Sequence, residues 1–168
     1  MGKFQADTFS KEDMCITRVD DNKSLCYGDA RSDIEKALGS GSQAQTNSIN
    51  YKSGVTVFYR DNKVVGFALS EGSQDIYKTA RGAQIGMTKE EVKSLYGQRF
   101  AYEPMEFNLD YAYDTMTGTL VEKEEVYSSK LQQLREQIFL TSVMFDGNNN
   151  GAASFIGLID QKMALFLE

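Results

Sequence analysis

A chain of 168 residues, 41% hydrophobic and 25% charged, has the composition of a folded protein and length for one full core or two small ones. Its 24 acidic and 18 basic residues give a net charge of −6 with no basic run, which disfavours nucleic acid or an anionic membrane as a partner. Histidine is absent, so Ser-His-Asp and Cys-His catalysis and the commonest metal ligand are excluded; no enzymatic activity, catalytic residue, metal or cofactor is expected.

No stretch approaches the roughly 20 apolar residues needed to span a bilayer, and no signal peptide stands at Met1. In Met1-Gly2, Ala6 occupies the position where a myristoylation motif requires Ser or Thr, so the start reads as that of a trimmed chain, and the sequence does not show whether an export signal preceded it. Cys15 and Cys26 flank ITRVDDNKSL, where Asp20-Asp21-Asn22 makes a turn between two short alternating runs. The two cysteines either face each other as a disulfide, worth about 3 kcal/mol on the chain-entropy account, or remain partly buried thiols; export favours the bond and the cytosol the thiols. Their spacing suits neither CxxC redox chemistry nor zinc.

The segment GDARSDIEKALG (28–39) predicts a short helix with Ile34, Ala37 and Leu38 on one face and Asp29 or Ser32 as its cap. The polar run SGSQAQTNS (40–48) reads as a loop, and Tyr51 as part of a strand. GVTVFYRDNKVVGFAL (54–69) predicts a hairpin turning at Asp61-Asn62-Lys63. Its first strand places Val55, Val57 and Tyr59 on one face, and Thr56, Phe58 and Arg60 on a mixed, more exposed face. A hinge is expected near 71–75.

In IGMTKEEVKSLYG (85–97), Thr88 and Glu91 form a capping box, Val92, Leu95 and Tyr96 make an apolar face, and Gly97 stops the helix. These positions match Ile34, Ala37 and Leu38 of the earlier segment at a constant offset. NLDYAYD (108–114) supplies a strand, and TSVMFDGNNNGAASFIGLID (141–160) a second hairpin. Its DGNNNG turn matches the first six positions of a calcium loop, but Gly157 stands where the bidentate carboxylate belongs, so a turn is the expectation. Between them, residues 115–137 form an insertion, with Val126, Leu131, Leu134 and Ile138 spaced as a partly exposed helix. Its acidic VEKEEV stretch (121–126) is assigned no role.

The plan is therefore helix first and antiparallel strands after, twice over: an α+β chain with repeats at 1–73, including an N-terminal hairpin, and 74–168, including the insertion. A Gly-Met-Thr start followed by a short helix carrying Val and ending in Gly resembles the β-lactamase inhibitory protein-like tandem-repeat family, and in single copy small outer-membrane-assembly lipoproteins. The resemblance implies two repeats, each with short helices packed on an antiparallel sheet, and a concave sheet surface presented to a partner. It implies a non-enzymatic exported or cell-surface module, a lipoprotein of this fold, binding a protein or envelope component. Phe58, Arg60, Tyr111 and Tyr113 are the candidate contact residues, since aromatics and arginine on rigid strands are what protein interfaces favour. The alternatives are an accessory envelope lipoprotein without a tight partner, and a small-ligand binder using a cleft between the repeats.

Overall fold

The computed structural model describes residues 4–168, so the Met1-Gly2 start lies outside the described residues. In chain order the elements are β1 (Cys15–Arg18), β2 (Ser24–Cys26), α1 (Arg31–Leu38), β3 (Ser42–Gln45), β4 (Ser48–Tyr51), β5 (Val55–Arg60) and β6 (Lys63–Leu69). There follow β7 (Tyr77–Thr79), α2 (Lys89–Tyr96), β8 (Asn108–Asp114), β9 (Thr119–Leu120), α3 (Ser129–Gln132), β10 (Ile138–Asp146), β11 (Ala152–Asp160) and α4 (Gln161–Ala164). The class is α+β with short helices and two antiparallel sheets, a three-stranded one ordered β2-β1-β7 and an eight-stranded one ordered β3-β4-β5-β6-β11-β10-β8-β9.

Local signals set most of these elements. At the β5–β6 turn Asp61 (φ 54°) and Asn62 (φ 59°) both take the left-handed conformation that a tight hairpin needs and that Asn and Asp tolerate. DGNNNG is the β10–β11 turn: Asp146 Oδ1 accepts from Asn148 N–H at 2.9 Å, and Asp146 O accepts from Gly151 N–H at 2.9 Å. α2 carries its capping box, with Thr88 Oγ1 accepting from Glu91 N–H and a Glu91 carboxylate oxygen accepting from Thr88 N–H, both at 3.2 Å. β1 and β2 pair with Cys15 opposite Cys26, and the two form a disulfide.

Three expectations need correction. Residues 40–48 are not a loop: β3 pairs with β4 at the edge of the large sheet, and its four side chains are all exposed, so it shows no alternation. α1 is capped by neither Asp29 nor Ser32; Ala30 is the cap residue without a side-chain bond, and Asp29 Oδ2 instead accepts from Cys26 N–H at 2.8 Å. The insertion is no single helix. It breaks into β9, α3 and short 3-10 turns, because Gly118 (φ 72°), Tyr127 (φ 65°) and Arg135 (φ 47°) are left-handed. Val126, Leu131 and Ile138 still pack together, against Ala112 and Leu140, while Leu134 is exposed. The segment expected as a hinge is a turn in which Ser73 N–H and Oγ–H both donate to Ser70 O, after which β7 pairs with β1.

One face of the large sheet carries the main core. Rows such as Ile49, Val57, Phe67, Leu158, Thr141 and Tyr111 run across six strands and pack with Ile34 and Leu38 of α1, Val92 and Tyr96 of α2, and Ile16 of β1. Beside it lies a buried ion pair. Arg81 Nε and Nη2 donate to the two oxygens of Asp13 at 2.7 and 2.9 Å, while Nη1 donates to Gln5 O and Leu95 O and the guanidinium covers the Tyr96 ring at 5.2 Å. Arg81 thus joins the N-terminal segment, β7 and the end of α2. Arg81→Met leaves a buried carboxylate without its counter-charge and should cost about 3–5 kcal/mol. Thr88→Ala, which removes only a cap, should cost about 1 kcal/mol. Urea midpoints are therefore expected to fall in the order wild type, Thr88→Ala, Arg81→Met.

Candidate functional site

Period-two alternation and strand register define what the opposite face of the large sheet displays. One row runs Ser48, Phe58, Gly66, Ile159, Leu140 and Ala112 across β4, β5, β6, β11, β10 and β8. The next runs Asn50, Thr56, Ala68, Gly157, Ser142 and Asp110 over the same strands. The central strands thus contribute Gly66, Ala68 and Gly157, whose small size lets neighbouring side chains fold over the sheet, and of the three Gly157 lines the groove. Neighbours lean into the space: a β-carbon on Gly66 would lie 2.5 Å from Ile159 Cγ1, and one on Gly157 3.0 Å from Phe155 Cε1.

The result is a groove of about 300 Å³ with an apolar lining that includes Phe58, Phe155, Ile159 and Leu140. One wall comes from the C-terminal segment. Asp160 caps α4 by accepting from Met163 N–H at 2.9 Å, and Phe166, left-handed at φ 52°, lies 79% exposed beside Met163. Phe58, Met163 and Phe166 also border a second depression edged by Gln45–Ser48, which extends the groove toward the sheet edge. At the other end the insertion covers the sheet, and Tyr127 reaches over it.

Beneath that end lies a buried carboxylate. Asp110, 4% exposed, accepts from Ser142 Oγ–H at 2.6 Å and from Tyr127 O–H at 3.0 Å, which ties the insertion to β8 and β10. Burial pushes the Asp110 carboxyl above its ordinary value, with the two hydrogen bonds opposing the rise. Burial also raises the Tyr127 hydroxyl, with Asp110 adding to the effect. Both oxygens of Asp110 are occupied by donors, so this cluster holds the groove's end in place.

The four candidate contact residues separate. Phe58 lies on the open face and lines the groove. Arg60 leaves it: Nη2 donates to Asp160 Oδ2 at 2.5 Å, and Tyr27 O–H donates to the same oxygen at 2.6 Å. Tyr111 and Tyr113 are on the packed face, 1% and 5% exposed, where Tyr111 donates to Gly97 O and stacks on Tyr96 at 5.3 Å, and Tyr113 packs on Phe9 at 4.7 Å. They are core residues, because alternation in NLDYAYD puts them with Leu109 and leaves Asp110 and Ala112 for the other side. Phe155, Ile159 and Phe166 line the groove without having been singled out. The available signal was the pair Gly66 and Gly157, each set inside an otherwise bulky strand.

No cluster of three His, Cys, Asp or Glu that could hold a metal ion occurs among the described residues, nor is any helix among them long and apolar enough to cross a membrane. No protein-family model, curated protein or solved structure matches the chain.

Asp110 sets a pH dependence. Its folded-state value is raised, so the stability it contributes is full below the ordinary carboxylate value of about 4 and is lost as pH rises through the folded value. Asp110→Asn cannot ionise. Between pH 4 and 7 its urea-unfolding free energy should therefore fall less, or rise more, than that of wild type; identical pH slopes would mean that Asp110 titrates alike in both states.

Proposed function

We propose that this chain is a non-enzymatic, exported module that docks a protein partner on the open face of its large sheet. The groove carries this reading. Exposed and half-exposed Phe58, Phe155 and Phe166 surround a floor kept low by glycine on paired strands, and anchors of this kind seated in pockets dominate protein interfaces. Export is supported by the Cys15–Cys26 disulfide, since such bonds persist in oxidising compartments. In this reading the segments 1–73 and 74–168 are related helix-plus-sheet units meeting at β6 and β11, and the docking face is concave, in keeping with the resemblance to β-lactamase inhibitory protein-like chains.

The test is retention of a partner from cell-envelope extract on immobilised protein. Phe58→Ala and Phe166→Ala should each weaken retention by about 2 kcal/mol, roughly thirtyfold, the loss typical of an interface anchor. Because Phe166 is largely exposed, its variant should keep the wild-type melting temperature. Equal retention by wild type and both variants, or none by wild type, would overturn docking through this face. A small apolar molecule released from the groove would instead favour a ligand-binding role.

A further inference from the structure

The tip of the β1–β2 hairpin reads Asp20-Asp21-Asn22-Lys23-Ser24, and Asn22 is the one asparagine of the chain with Ser or Thr two residues on. This spacing is the acceptor signal for N-glycosylation, which needs a carboxamide and a hydroxyl presented together on a surface loop. Short motifs recur by chance, so placement decides.

Asn22 is exposed, with φ 59°, and its N–H donates to Arg18 O at 2.9 Å, while its carboxamide has no hydrogen-bond partner among the described residues. The turn is shaped without that side chain. Asp21 Oδ1 accepts from Lys23 N–H at 3.0 Å, and Arg18 pairs with Asp20 at 2.9 Å and with Asp21 at 2.5 Å. Ser24 is exposed, and its hydroxyl stands 3.3 Å from Thr17 Oγ1, a separation long enough to give up readily. Independently, the same hairpin is closed by the Cys15–Cys26 disulfide, a bond of exported proteins, and an N-glycan acceptor is likewise a surface-loop feature of a secreted protein.

We propose that Asn22 is an N-glycan acceptor. The donor is an oligosaccharide carried on a lipid pyrophosphate. Asn22 Nδ2 forms the bond to the anomeric carbon as the carbon–oxygen bond to the pyrophosphate breaks, the lipid pyrophosphate leaves, and the proton from Nδ2 passes to a base of the transferase. The inference rests on the export part of the reading above and is independent of the groove.

The experiment is the intact mass of the full chain isolated from the cells that make it, with and without reduction, followed by mapping of the peptide containing Asn22. The expected result is a mass above that of the polypeptide by one glycan, located on Asn22, and lost in Asn22→Gln and Ser24→Ala made in the same cells. A disulfide-bonded chain at the bare polypeptide mass would overturn the glycan and leave export standing. A reduced, intracellular chain at the bare mass would overturn both. A glycan that persists in Asn22→Gln would overturn the assignment to this residue.

Discussion

The structure depends on the pairing of β6 with β11. Leu69 to Gly66 lie opposite Ile156 to Ile159, and through that contact two four-stranded groups become one eight-stranded sheet. Without it each group would expose an edge in the middle of the core. Gly66 is what permits the fit, since Ile159 lies across the space its side chain would fill. The apolar rows on the packed face then run unbroken from β4 to β8, and α1 and α2 cover one surface.

The same contact creates the opposite face. Ile159 lies over Gly66 and Phe155 leans over Gly157, so these large residues stand as walls of the groove rather than as a flat layer. The insertion closes one end and is anchored by Tyr127 to Asp110; the C-terminal segment makes a wall and leaves Phe166 bare. Phe166, at 79% exposure, thus stands at the rim of the groove with Met163 rather than in its lining's packed part.

Much of the architecture was legible because its causes are local. Thr88 and Glu91 cap a helix through atoms three residues apart, Asp61-Asn62 turns a hairpin through backbone conformation, and the alternation of Val55 to Arg60 survives unchanged in β5. The misreadings have long-range causes. β3 is a strand because β4 offers it an edge, which polar side chains do not announce. Tyr111 and Tyr113 alternate as expected, but which face is packed was decided by β10 and by Phe9 and Tyr96, distant in sequence. Arg60 looked free because its partner, Asp160, lies a hundred residues away. The groove was hidden for the same reason: it is made of absences on strands whose adjacency no local pattern records.

The β6–β11 junction also bears on how the chain reaches this state. Leu69 and Ile156 belong to hairpins that close over short turns, β5–β6 and β10–β11, so each can zip quickly from its own turn. Their union must wait until the long intervening stretch has been gathered, and non-local pairings of this kind slow folding. Until then β6 and β11 are unpaired edges of high β-propensity, the condition in which nascent chains associate with one another. The strands that build the groove are thus the ones the chain must shelter longest while it folds.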